Sequence, residues 1–255
     1  MSNDPIHQFH VNNNVDVPLG ELPFGLGHLA FNDAALFMGL SVAGAAGFMM
    51  WAMRPAAVVP GRAQVVAEGA YSFIHSMVKD AAGEEGVKRF FPFVFTLFLF
   101  IFAANMLGMF PYFFTPTSQI IITATMALMV FFTVITVGIA KNGFKFLKLF
   151  VPSGVPWYIL WFVVIIEIIS FFSRPLSHAV RLWANVLAGH LVLKVFAGFV
   201  PMMAAAGGIW ILGSVLPLTM TVALYALEFL VAFLQAYVFA LLTCIYLNDA
   251  LHPGH

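Results

Sequence analysis

Two consecutive stretches, 156–198 and 202–247, run for about 45 residues each and are apolar apart from a handful of ionisable side chains. One perpendicular crossing of a bilayer needs only about 20 apolar residues. Each stretch therefore predicts a helix that is strongly tilted or lies partly along the membrane plane. Of the 255 residues, 62 % are hydrophobic and 9 % charged, against about 25 % charged in ordinary soluble chains. With 29 phenylalanines and a mean hydropathy of +0.97, the apolar surface exceeds any core that 28.0 kDa can build. The same composition, with one cysteine (Cys244) and zero net charge, excludes intrinsic disorder, a disulfide scaffold and a nucleic-acid binder. The predicted class is an all-α integral membrane protein, a single membrane domain over 1–255 with no internal repeat.

Because charges are few, each one informs orientation. Residues 1–32 carry Asp4, Asp16 and Glu21 but no Lys or Arg, and lack the basic start of a cleavable signal peptide. They read as a polar, loosely ordered outer tail. A first span is expected over 33–53, ending before Arg54-Pro55. Five of the eleven basic residues (Arg54, Arg62, Lys79, Lys88 and Arg89) follow, which puts this loop inside. Within it, Gln64, Glu68, Ser72, His75 and Lys79 recur at helical spacing, with Val66, Ala70, Phe73, Met77 and Val78 opposite. That pattern predicts an amphipathic helix over 60–82 lying in the membrane surface. A hairpin of spans over 90–110 and 120–140 is expected next, with an uncharged outer turn at 111–119 and an exit at Lys141, Lys145 and Lys148. The two long segments complete about five crossings, with an uncharged outer turn near 198–208, the amino end outside and the carboxyl end in the cytoplasm.

The long segments concentrate the membrane-embedded polarity. A charge at the centre of a membrane helix costs about 2.5–3.5 kcal/mol, so it faces protein or water and marks function. At about 100° per residue, steps of seven leave neighbours within about 20°. Glu167, Arg174 and Arg181 thus form one stripe, joined by Ser170, Ser177, His178 and Asn185, and Thr221, Glu228 and Gln235 form a second beside Tyr225. His190 lies nine residues beyond Arg181, half a turn out of phase, near Lys194. It can therefore face a different compartment from the arginine. Arg174, next to Pro175, is as readily structural as functional. Arg181 sits deep in an apolar run with no nearby end to which it can snorkel. His190 is either a hydrogen-bonded bundle histidine or, if Glu228 is close, a proton relay; Glu228 is either neutral or paired across helices. Asn105, polar and mid-span, can bond a neighbouring helix. Cys244 reads as filler.

The run Ser173-Arg-Pro-Leu-Ser-His-Ala-Val-Arg-Leu-Trp-Ala-Asn-Val-Leu-Ala-Gly-His-Leu191 resembles the signature of subunit a of F-type ATP synthases, the stator subunit facing the rotating ring of c subunits. Ile165-Ile-Glu-Ile-Ile-Ser170 is similar to the start of that family's fifth helix, and 227–242 to its last. Asn105-Met-Leu-Gly-Met-Phe-Pro-Tyr-Phe-Phe-Thr-Pro-Thr117 matches a further segment. The resemblance covers roughly 85–250; residues before that are supported by topology alone. His190 on the fifth helix with Glu228 on the sixth, and Gly108 in place of an acid, is the mitochondrial-like pattern, as in alphaproteobacteria.

The resemblance implies a function and assigns residues. Arg181 corresponds to the essential arginine facing the c-ring carboxylate. His190, Glu228, Gln235 and Asn105 would form the outer proton half-channel, and Glu167, Ser170, Ser173 and Asp249 the inner one, with Asn185 and Arg174 at the interface. The implied partners are the c-subunit ring, peripheral-stalk b subunits, the soluble ATPase head and membrane lipid. The transported ion is expected to be H⁺ rather than Na⁺, because an imidazole is a poor ligand for a hard cation. No cofactor or metal is implied, no glycine-rich phosphate cradle is present, and the chain is expected not to be an enzyme on its own. A bacterial inner membrane is the expected location, a mitochondrial inner membrane the alternative. A secondary transporter would show paired repeats and broken helices, and a proton-pumping respiratory subunit would show lysine and glutamate chains across many spans. Neither pattern is present.

Overall fold

The computed structural model describes residues 17–21, 28–54, 59–110, 113–151 and 156–251. Residues 1–16 and 22–27 of the expected tail, 111–112 of the first outer turn, 152–155 before the long helices, and 252–255 lie outside the described residues. A two-stranded antiparallel ribbon, β1 (Val17–Glu21) with β2 (His28–Phe31), precedes six helices: α1 (Asp33–Met53), α2 (Arg62–Gly108), α3 (Ile120–Asn142), α4 (Trp157–Ala206), α5 (Ile209–Gly213) and α6 (Val215–Leu251). Five helical stretches are long and apolar enough to cross a membrane, α5 and α6 counting as one. Over 17–21 and 28–31 the ribbon replaces the loose tail expected there. Pro18 and Gly20, both poor strand formers, hid it in the sequence, and the pairing register shifts between them.

Local chemistry explains most boundaries. Asn32 caps α1, its Oδ1 accepting from the Ala35 N–H at 3.1 Å. Within α2, Gly83 adopts φ 68° and ψ −176°, a conformation close to glycine-only, and breaks the helix into 62–82 and 84–108. The expected surface helix and second span are thus separated by one residue rather than a loop. Along 62–82 the buried residues are Gln64, Ala67, Ile74, Met77, Val78 and Ala82. Gln64, expected on the solvent face, is buried and donates to Glu68 Oε1 at 2.7 Å, while Val66 and Phe73 stay exposed. On α3 the exposed Thr125, Thr133 and Thr136 donate to carbonyls four residues back, which satisfies their hydroxyls on an apolar surface.

Helix α4 passes through Pro175, Gly189, Gly198 and Pro201 to Ala206, 50 residues in all. The turn forms at Gly207 and Gly208, whose φ of 70° and 60° suit only glycine, and α6 begins at Val215. The expected turn at 198–208 and helix start at 202 are corrected accordingly. Membrane helices tolerate isolated Gly and Pro, whereas a chain reversal needs positive φ.

Two compact units divide the chain. One comprises Met1–Ala45, Phe100–Gln119 and Leu182–Gln235; the other Ala46–Leu99, Ile120–Arg181 and Ala236–His255. In the first, Ile101, Ala104 and Leu182 are fully buried, and Phe102 meets Phe233 edge-on with ring centroids 6.1 Å apart. In the second, Ile74, Val78, Val94 and Leu247 are fully buried, and Phe131, Phe150 and Phe171 cluster at centroid distances of 5.1–5.2 Å. Trp51, Trp157 and Trp210 are exposed close to helix ends, the depth at which membrane proteins carry interfacial aromatics.

Candidate functional site

In the first unit, α2, α4 and α6 border a pocket of about 320 Å³ lined by Asn105, Asn185, His190, Glu228 and Gln235. His190 Nδ1 lies 3.3 Å from Glu228 Oε1, with only 14 % and 12 % of the two side chains exposed. Gly189 leaves room for that approach: a methyl group there would sit 3.0 Å from Glu228 Oε1 and crowd it. The second Glu228 oxygen is buried without a hydrogen-bond partner among the described residues. A carboxyl so placed is held by one histidine alone, an arrangement suited to giving and taking a proton. Asn185 Nδ2 donates to Gln235 Oε1 at 3.2 Å, tying α4 to α6 below the pair. Asn105, buried, donates to the Ala232 carbonyl at 3.4 Å and accepts from Thr117 Oγ1 at 2.9 Å. Tyr225 donates to the Met109 carbonyl at 2.6 Å. All four residues expected for the outer half-channel are therefore gathered here.

Sequence reasoning missed Thr115 and Thr117. Both are buried, and Thr115 Oγ1 sits 3.3 Å from His190 Nε2. No periodicity signals them, because they lie in and beside a short 3₁₀ turn, Pro116–Ser118, whose backbone brings them to His190 and Asn105.

In the second unit, Arg174 Nη1 donates to Asp249 Oδ2 at 3.0 Å, and Nη2 lies 4.0 Å from Glu167 Oε1. Its guanidinium also stacks over Tyr246, 4.9 Å from the ring centroid. His178 is buried between Phe239 and Tyr246 at centroid distances of 4.7 and 5.2 Å, its Nε2 unpartnered among the described residues. Arg174, His178 and Tyr246 border a cavity of about 300 Å³ walled by α3, α4 and α6. Of the residues expected on the inner side, Glu167 and Asp249 are brought together by Arg174. Ser173 is not: it is exposed and its hydroxyl donates back to the Ser170 carbonyl at 2.8 Å. His178, Tyr246 and the Arg174 pairing complete this cluster, and only the helical phase of His178 was visible beforehand.

Arg181 behaves unlike every other embedded ion. It is the twenty-fifth residue of the 50-residue α4, is exposed, and makes no hydrogen bond or ion pair among the described residues. At i−4, i+3 and i+7 stand the small residues Ser177, Ala184 and Ala188. Among the described residues, no cluster of His, Cys, Asp and Glu could hold a metal ion.

A polytopic helical membrane protein with a largely buried carboxyl–imidazole pair and a half-buried arginine–carboxylate cluster on its two long helices belongs to the class that moves protons or small ions. Comparison makes this specific: a model of the ATP synthase A chain family matches residues 35–248. The ATP synthase subunit a of Rhizobium etli is 59 % identical over 254 residues, covering 100 % of this chain and 99 % of the relative. That of Rhizobium rhizogenes is 58 % identical over 254 residues with the same coverage, and that of a Chelativorans species 56 % over 255 residues, 100 % of both. The chain belongs to the ATP synthase subunit a family, the proton-translocating stator subunit of the F-type enzyme. It is thus a non-catalytic membrane-sector subunit that works in complex with the other ATP synthase subunits.

Proposed function

We propose that the chain provides two offset aqueous half-channels to the carboxylates of a c-subunit ring, with Arg181 between them. The exposed, unpaired Arg181 carries this reading. A guanidinium stays charged at any working pH, and facing lipid it would cost about 2.5–3.5 kcal/mol. A partner's carboxylate removes that cost, and the small residues around Arg181 let a partner helix come close. A rotor carboxyl that is neutral in lipid ionises next to Arg181 and releases its proton. The fixed positive charge also bars protons from crossing directly between the half-channels. Moving one charge across 100 mV is worth about 2.3 kcal/mol, which rotation delivers to the ATPase head.

In this reading His190 and Glu228, with Gln235 and Asn105, serve the outer half-channel, and Asn185 orients the contact with the ring. Glu167 and Asp249, steered by Arg174, serve the inner side, with Ser170 and Ser173 at its rim. The ion is H⁺, for which a carboxyl–imidazole pair is a relay. Peripheral-stalk b subunits hold the chain against the ring in a bacterial inner membrane, amino end outside and carboxyl end in the cytoplasm. The test is Arg181→Ala in the intact complex reconstituted into vesicles. ATP-driven acidification should be lost while the complex still assembles; unchanged coupled pumping would refute the proposal.

A further inference from the structure

We propose that Thr115 is a positioning residue that fixes the tautomer of His190, and that Gly108 is there to admit it; this rests on the reading of His190 and Glu228 as a proton relay. The threonine hydroxyl has one hydrogen to donate and lone pairs to accept with. Gly108 is the last residue of α2, where a helix carbonyl has no further turn to bond it. Thr115 Oγ1 donates to that carbonyl at 3.4 Å. A carbonyl is an acceptor only, so in the proposed arrangement the hydroxyl's single hydrogen goes to it rather than to the ring. Toward His190 Nε2, 3.3 Å away, the same oxygen then accepts, and in this arrangement Nε2 carries the hydrogen. A neutral imidazole has one N–H, which leaves Nδ1 with a lone pair pointing at Glu228 Oε1, 3.3 Å away.

That orientation lets the pair work as a relay. With Glu228 protonated, its Oε1–H donates to Nδ1. On transfer the O–H bond breaks and an Nδ1–H bond forms, giving a carboxylate facing an imidazolium, and the Nε2–H···Oγ1 bond to Thr115 is kept throughout. Returning the proton restores the start, so charge and hydrogens balance without another reactant. Without the hydroxyl, the ring is free to carry its hydrogen on Nδ1 instead, and Glu228 can then no longer hand over its proton. The close seat of Thr115 depends on Gly108, because a methyl group there would lie 2.5 Å from Thr115 Oγ1 and Cγ2.

Two substitutions in the intact complex separate tautomer control from packing. Thr115→Val keeps the shape and removes the hydroxyl; Thr115→Ser keeps the hydroxyl and removes the methyl. Proton conduction through membrane sectors stripped of the ATPase head should fall roughly tenfold in Thr115→Val, the scale of one lost hydrogen bond to a ring that becomes charged, and recover to within about twofold in Thr115→Ser. Wild-type conduction in Thr115→Val, or equal loss in both variants, overturns the inference. Glu228→Gln runs alongside: if it conducts normally, the relay reading itself fails, whereas impaired Glu228→Gln with normal Thr115→Val sinks the Thr115 role alone. Should Thr115→Val not assemble, nitrogen solid-state NMR of the histidine-labelled wild-type complex decides. With His190 assigned by difference from His190→Gln, a neutral ring protonated at Nε2 supports the inference, and one protonated at Nδ1 refutes it.

Discussion

Glu228 and Gly189 show how narrowly a single side chain is placed. Residue 189 lacks a Cβ beside the carboxyl that meets His190, and Gly189→Ala would put a methyl 3.0 Å from Oε1, so that the carboxyl must shift by a few tenths of an ångström. That variant is expected to assemble normally and conduct protons several-fold more slowly, measured as passive acidification of vesicles; undiminished conduction would show that the His190–Glu228 approach is dispensable. Arg174 is the contrasting case. Held between Asp249 and Glu167 and stacked on Tyr246, it has the partners that Arg181 lacks. Its loss leaves Asp249 uncompensated, at a cost between the ~0.2–1 kcal/mol of a surface pair and the ~3–5 kcal/mol of a buried one. Arg174→Ala should therefore lower thermal stability of the assembled complex more than Arg181→Ala does, while Arg181→Ala is the variant that abolishes pumping. The opposite ranking in a melting experiment would exchange the roles assigned to the two arginines.

Helices in this chain are governed by where they may stop. Gly83 interrupts α2 with a backbone that L-residues reach only at about 1–3 kcal/mol, yet a Cβ there meets nothing within 4 Å. Gly83→Ala should thus destabilise through backbone strain alone, and a melting temperature equal to wild type would mean the kink is not required. Helix α4 shows the reverse. Gly198 and Pro201 look like breakers but are carried inside it, because an apolar environment forces backbone groups to bond within the helix wherever they can. Only the pair Gly207-Gly208, with positive φ at both, ends it.

For the whole molecule, the proposed orientation is open to direct measurement. With Cys244→Ser removing the one native thiol, the Lys141→Cys variant should react with a membrane-impermeant maleimide in inverted vesicles and not in right-side-out ones. Labelling from the outside would reverse the assigned topology. The membrane class, the number of helices long and apolar enough to cross and the phase of the polar stripes were legible in sequence, since they follow from hydropathy and the helical repeat, which act along one chain. So was the half-turn between Arg181 and His190, which needs only an angle: the first is exposed and the second lines the pocket. The meeting of Glu228 with His190 across α4 and α6, the capture of Arg174 by Asp249, and the return of Thr115 to His190 were not legible. Each joins residues 38 to 75 positions apart, and such distances are closed by packing small residues and turning loops, to which no periodicity in the sequence corresponds.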